Sequence, residues 1–248
     1  MISVSAVLQA RMTSTRLPGK SLLPLAGVPL IEHIINRLKA LTELDHIVLA
    51  VPDSHAETPL IEKAKRLDIT VIKGPEEDVL KRFLMAADQV KAQHIVRVCG
   101  DNPLIDRQLM SSLIDTHLKQ NADYTITFDS IPLGTGTEIV RVDTLKQIAQ
   151  TTIEPKYREH VTTWFHDHPT TGVQPCVSAP AYLINRPYRL TVDTKNDLAL
   201  MEKIFKNFYT SASPLPDLSQ VIQFLDTHPE IAQLNANVQQ KDWRSQSK

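Results

Sequence analysis

The chain has 248 residues, 42% of them hydrophobic, and a formal net charge of -1. That apolar content suffices for a sizeable core and excludes wholesale disorder, while the near-neutral balance leaves no basic field of the kind that binds nucleic acid. The two cysteines, Cys99 and Cys176, form neither a metal spacing nor a disulfide framework and point to a reducing cytoplasm. The short N-terminal apolar run has no basic region ahead of it and is cut by Arg11, so neither a signal peptide nor a membrane span is expected.

In chain order, residues 3–8 read as a buried strand that runs into a loop over 9–20. The loop carries Arg11, Arg16 and Lys20 with no acid among them, interleaved with Thr13, Ser14 and Thr15, and Pro18-Gly19 marks a turn. Such a strand end suits an anion with several oxygens, held by Arg11, Lys20 and Arg16 with help from Ser14, Thr15 and loop amides. A solvated basic loop is the plainer alternative. An apolar stretch over 22–27 follows, and Pro29 opens a helix over 30–41 whose Leu30, Ile31, Ile34, Ile35 and Leu38 repeat at helical spacing.

Strands are then expected over 46–51, 69–72, 95–99 and 124–128, alternating with helices over 57–67, 76–90 and 106–120. That alternation predicts an α/β fold with a doubly wound, mostly parallel sheet. Ligands in such sheets bind beyond the carboxyl ends of the strands. Beyond 128 the pattern changes: turn formers over 132–136, strands over 138–142 and 188–192, a strand-like run over 172–177, and helices over 144–149, 156–166, 194–208 and 217–225. The tail over 239–248 is polar and expected to fray. One domain over 1–248 is predicted.

Asp101, in Gly100-Asp101-Asn102-Pro103, follows a predicted strand, and Asp193 follows another. Asp106 and Thr194 are the better helix caps, the latter with Asp197 in a capping-box spacing. That frees Asp101 and Asp193 to hold Mg2+, which takes one or two carboxylates and fills its shell with phosphate oxygens and water. Acids over 76–78 are explained by a helix start, with Arg82 one turn in and able to point back at the site. Residues 134–138 and 157–160 are candidate second-substrate contacts, although a turn and a solvated helix face account for them equally. His166 and His168 lack matching acids and do not read as a metal pair.

Gln9-Ala10-Arg11-Met12 with Ser14-Thr15-Arg16-Leu17-Pro18-Gly19-Lys20 resembles the signature of the sugar-acid cytidylyltransferases, the acylneuraminate and 3-deoxy-manno-octulosonate enzymes, and most closely a spore coat polysaccharide biosynthesis protein F branch. Further marks are Asp78-Val79-Leu80-Lys81-Arg82, Gly100-Asp101-Asn102-Pro103-Leu104-Ile105-Asp106, Arg158-Glu159-His160-Val161-Thr162 and Arg189-Leu190-Thr191-Val192-Asp193-Thr194. The resemblance implies a nucleotide-diphospho-sugar transferase fold and a homodimer with a small inserted lobe near 130–187. It implies phosphates on Arg11 and Lys20, Mg2+ on Asp101 and Asp193, and the base of CTP against main-chain groups of Leu8, Gln9 and Ala10. The implied reaction is attack of an acceptor hydroxyl on the α-phosphorus of CTP with loss of pyrophosphate. Asn102 stands where the octulosonate enzymes usually carry an acid, and the middle segment lacks the sugar-carboxylate pattern of either enzyme. An acidic sugar is the expected acceptor, with a phosphorylated or phosphonylated small acceptor as the alternative. A glycosyltransferase on the same fold is disfavoured by the lack of an Asp-x-Asp pair.

Overall fold

The computed structural model describes residues 2–240; the predicted frayed tail lies outside them from residue 241 onward. The elements run β1 (Val4–Gln9), β2 (Pro24–Leu25), β3 (Val28–Pro29), α1 (Leu30–Lys39), β4 (His46–Pro52), α2 (Thr58–Arg66), β5 (Thr70–Gly74), α3 (Val79–Val90) and β6 (His94–Cys99). They continue with α4 (Arg107–Lys119), β7 (Tyr124–Thr125), β8 (Glu138–Arg141), α5 (Val142–Thr151), α6 (Pro155–Glu159), α7 (Thr163–Asp167), α8 (Lys195–Phe208), α9 (Leu218–Thr227) and α10 (Pro229–Ala232).

Six strands form one sheet in the order β5-β4-β1-β6-β8-β7. β5, β4, β1 and β6 run parallel, while β8 is antiparallel to both β6 and β7. The two-residue period of each strand sorts side chains onto two faces. Val4, Ala6, Leu8, Leu49, Val51, Val96 and Val98 face a core with α1, α4, α8 and α9. Val7, Val48, Ala50, Ile95 and Val140 face the opposite core with α3 and α5. Helices therefore cover both faces, as the βαβ alternation predicts. Among the described residues, no helix is long and apolar enough to cross a membrane.

Chain order leaves β1 towards β4 and β5, then returns to place β6 on the other side of β1. The switch point lies between the carboxyl ends of β1 and β6, where Gln9 and Cys99 are in register. The Gly100 amide donates to the Gln9 carbonyl at 2.8 Å. A Cβ on Gly100 would lie 2.6 Å from the Ala10 Cβ and 2.8 Å from the Gln9 oxygen, so glycine permits this approach.

Several predicted elements differ in the structure. Residues 188–192 form a β-bridge, Leu133 to Arg189, rather than a strand of the sheet. Likewise 172–177 forms a bridge, Cys176 to Ile126, rather than a strand. The expected helix over 156–166 is two short ones, interrupted where Val161 takes a positive φ of 40°. The strand expected over 124–128 is only two residues long. Helix α3 starts later than expected, because the Asp78 carboxylate accepts from the Lys81 amide at 2.9 Å and caps it; Glu76 and Glu77 precede the helix rather than filling its first turn. The expected caps of α4 and α8 are present: Asp106 accepts from Leu109, and Thr194 with Asp197 forms a full capping box.

At the start of β6, His94 and His117 of α4 share a hydrogen bond of 2.9 Å, and His117 reaches the Thr125 hydroxyl at 2.8 Å. Burial holds both rings neutral, lowering His94 to about 4 and His117 to about 3. Unfolded histidines titrate near 6.5, so below that pH the unfolded chain binds protons that the folded pair refuses. Stability is then full above about pH 6.5 and falls as the pH drops towards 4. Urea unfolding is expected to show a loss of roughly 2 kcal/mol from each histidine of the pair between pH 7 and pH 5. A His117→Gln variant with an undiminished pH slope contradicts this account.

Candidate active site

Two structural ties bring distant segments to the switch point. The Val192 amide donates to the Asp101 carbonyl at 2.8 Å, which sets Asp193 beside Asp101. The segment itself is held by Leu133, whose carbonyl accepts from the Leu190 amide at 2.7 Å. Gly134 allows this: with φ of +95°, it packs where a Cβ would lie 2.5 Å from the Leu190 oxygen.

The loop after β1 folds back on itself. The Gly19 amide donates to the Met12 carbonyl at 2.9 Å, and the Met12 amide donates to both oxygens of Glu57, at 3.1 and 2.9 Å. Glu57 is fully buried, and burial raises its pKa against the opposing pull of the Met12 amide. This anchor was not identified from the sequence, because the two residues are 45 positions apart.

Folding back delivers Lys20 to the acids. Its ammonium donates at 2.8 Å to Asp101 Oδ2 and at 2.8 Å to Asp193 Oδ1. Burial alone would lower the lysine pKa; the two carboxylates outweigh it and hold it above its ordinary value. Asp193 also receives Arg16 at 3.0 Å and Arg189 at 2.6 Å. Burial opposes its charge, but Lys20, Arg16 and Arg189 bring its pKa below the usual carboxylate range. Arg189 is fixed in turn by the buried Asp197 at 2.8 Å, whose carboxylate also accepts the Asp193 and Thr194 amides.

This ion-pair knot lines a cleft of about 720 Å³ that Gln9, Ala10, Arg11, Ser14 and Thr15 also border. Leu8 is fully buried inside β1, so Gln9 and Ala10 are the residues of that stretch facing the cleft. Arg11 stands half-exposed at the rim, 4.0 Å from Glu76. Arg82 is buried, donates to the Pro75 carbonyl and, at 2.8 Å, to the Glu76 carbonyl, and lines the same cleft. All the residues predicted to hold the nucleotide or the metal, except Leu8, therefore meet in one cleft. Glu159 and His160 border it too. His168 instead stacks on Trp164, with ring centroids 3.8 Å apart.

Asp101 and Asp193 aim hard oxygen donors at one point, where the Lys20 ammonium lies. Among the described residues, no group of three or more acids, histidines or cysteines gathers to hold a metal. Two carboxylates with the remaining positions left to phosphate and water is a donor set that fits magnesium.

A second, smaller cavity of about 270 Å³ adjoins the cleft through shared Arg97 and Cys99. Gly134, Gly136, Thr137 and Glu138 line it, so the segment that reads as a turn borders a cavity. Arg97 and Glu138 face each other across β6 and β8, paired at 3.2 Å. Arg97 carried no sequence signal, and Glu138 only its place in the candidate segment over 134–138; the cross-strand register brings the two together.

Comparison with known proteins bears on the family and the fold. A chain with 34% identity over 239 residues is the spore coat polysaccharide biosynthesis protein SpsF of Bacillus subtilis, spanning 94% of this chain and 98% of that one. A cytidylyltransferase structure from Leptospira borgpetersenii superposes with a TM-score of 0.87 at 25% identity, covering 98% of this chain and 100% of that one. A CMP:2-keto-3-deoxy-manno-octonic acid synthetase solved with CTP shares the fold, with a TM-score of 0.61 at 16% identity over 83% of this chain and 99% of that one. The family profile described as cytidylyltransferase matches residues 5–242. The chain thus belongs to the cytidylyltransferase family and is a CTP-dependent nucleotidyltransferase.

Proposed function

We propose that the enzyme transfers a cytidylyl group from CTP to a hydroxyl of an acidic sugar, nonulosonate- or octulosonate-like, in the cytoplasm and for surface polysaccharide synthesis. The observation that carries this reading is the convergence of Lys20, Arg16, Asp101 and Asp193 at the switch between β1 and β6. The names of the B. subtilis relative and of the synthetase solved with CTP support the pathway and the acceptor class.

The acceptor oxygen forms a bond to the α-phosphorus, the bond to the bridging oxygen of pyrophosphate breaks, and the hydroxyl proton leaves to solvent. Such transfers depend on positioning and on offsetting charge. Lys20, Arg16 and Arg11 meet the triphosphate, Arg82 supports the loop over 75–76, and Gln9 and Ala10 meet the base. Magnesium, held by Asp101 and Asp193, would offset phosphate charge and acidify the attacking hydroxyl. As triphosphate enters, the Lys20 ammonium is free to exchange one carboxylate for a phosphate oxygen.

A pyrophosphate-release screen of four nucleoside triphosphates against sugar acids and phosphorylated alcohols tests the reading. The expected result is turnover with CTP and a sugar acid that is lost on chelation and restored by magnesium. Lys20→Ala is expected to lower kcat/KM by about 100-fold or more. Turnover only with a phosphorylated alcohol would replace the acceptor class, and an undiminished Lys20→Ala rate would remove Lys20 from the site.

We further propose a homodimer formed through a lobe over about 130–187. In support, Phe128, Leu133, Ile153 and Val173, at 71%, 41%, 89% and 48% exposure, are large hydrophobics left on the surface in or beside that region. Sedimentation velocity at micromolar concentration is expected to give a dimer, and Ile153→Asp to weaken it. A monomer at every concentration up to 100-fold higher contradicts the proposal.

A further inference from the structure

The smaller cavity holds charge that the nucleotide chemistry does not use. Among the described residues that line it, Arg97 is the one cation and Glu138 the one anion. They are not equivalent. Glu138 is saturated: it accepts from Arg97 at 3.2 Å, from the Tyr124 hydroxyl at 2.9 Å and from the Thr162 hydroxyl at 2.5 Å, with His166 at 3.7 Å. Burial opposes its charge, yet these donors lower its pKa to about 2, so it stays ionised. Arg97 is unsaturated. Only Nη1 is engaged by Glu138, and Nε has no hydrogen-bond partner among the described residues. The side chain is 19% exposed and lies along both the cavity and the nucleotide cleft. An unmatched guanidinium donor in a desolvated wall is costly unless an acceptor arrives.

Resting on the cytidylyltransferase reading, we propose that this cavity is the acceptor subsite and that Arg97, clamped by Glu138, binds the acceptor's carboxylate there. The Arg97 guanidinium lies along the cavity wall and offers the forked geometry that suits a carboxylate. A phosphate dianion fits less well, because the one cation is already half-offset by Glu138. The remaining wall suits the body of one monosaccharide: Asn102, Thr127 and Thr137 offer polar contacts, and Ile126, Ile131 and Leu133 offer apolar ones. Asn102 directly follows Asp101 in the chain, so an acceptor seated in the cavity lies beside the α-phosphate position. Arg97 is thus a specificity-determining residue, distinct from the cations of the triphosphate.

The test uses the whole enzyme with CTP and two probe acids, 3-deoxy-manno-octulosonate and N-acetylneuraminate, each beside its carboxyl methyl ester. Turnover is read by pyrophosphate release and CTP binding by calorimetry. The wild type is expected to prefer an acid over its ester by at least 30-fold. Arg97→Gln is expected to raise the acceptor KM by a similar factor and erase that preference, while the CTP Kd moves less than threefold. Arg97→Lys keeps the charge opposite Glu138 and guards against misfolding; it is expected to retain CTP binding and recover only part of the acid preference. Ile131→Trp, which narrows the cavity, is expected to raise the acceptor KM and leave the CTP Kd unchanged. Equal use of acid and ester, an unchanged acceptor KM in both Arg97 variants, or CTP binding without binding or turnover of either acid overturns the inference and leaves the nucleotide site standing. Failure of the wild type to bind CTP instead contradicts the cytidylyl reading itself.

Discussion

The ammonium of Lys20 sits between two carboxylates that arrive from remote parts of the chain, and the active cleft is built around that contact. Asp101 comes from the end of β6, Asp193 from an extended segment nearly a hundred residues later, and Lys20 from the first loop. In isolation, two half-buried acids so close together would repel and favour protonation. Lys20, with Arg16 and Arg189 on the far oxygen of Asp193, holds the Asp193 pKa below the usual carboxylate range. In the proposed reaction these charges would meet the triphosphate and its metal, so binding would exchange partners within a set already gathered and desolvated by the fold and lower the reorganisation required.

The sheet topology supplies the place, and the irregular segments supply the precision. A parallel pair, β1 and β6, opens at its carboxyl ends into the cleft, and Gly100 lets the two chain ends lie in contact. Antiparallel β8 then adds a cross-strand neighbour to β6, and with it Glu138 opposite Arg97. Arg97 and Cys99 of β6 thus border both the main cleft and the smaller cavity. On the proposed reading the strand would set the two substrates side by side, as a transfer between them requires.

Much of this was legible in the sequence because the relevant signals are local. The apolar run ending in Arg11, Arg16 and Lys20 marked a strand feeding an anion-binding loop. Asp106 and the Thr194–Asp197 pair accounted for helix starts, which left Asp101 and Asp193 free for other work. What was not legible depends on long-range pairing. Residues 188–192 carry β-forming side chains, yet their amides are satisfied by Leu133 and Asp101 rather than by a neighbouring strand. Residues 156–166 keep a helical pattern but break at Val161, where tertiary packing overrides propensity. Arg97, Glu138 and Glu57 look like ordinary charged residues until strand register and loop closure reveal what each one faces.

The most direct test of the account is a crystal structure of the enzyme with magnesium and a non-hydrolysable CTP analogue. The account predicts a triphosphate seated between the loop over 9–20 and Asp101 with Asp193, the Lys20 ammonium contacting a phosphate oxygen, and the base against Gln9 and Ala10. A triphosphate bound away from Lys20, with the Lys20–Asp101–Asp193 contacts unchanged from the nucleotide-free protein, would contradict it.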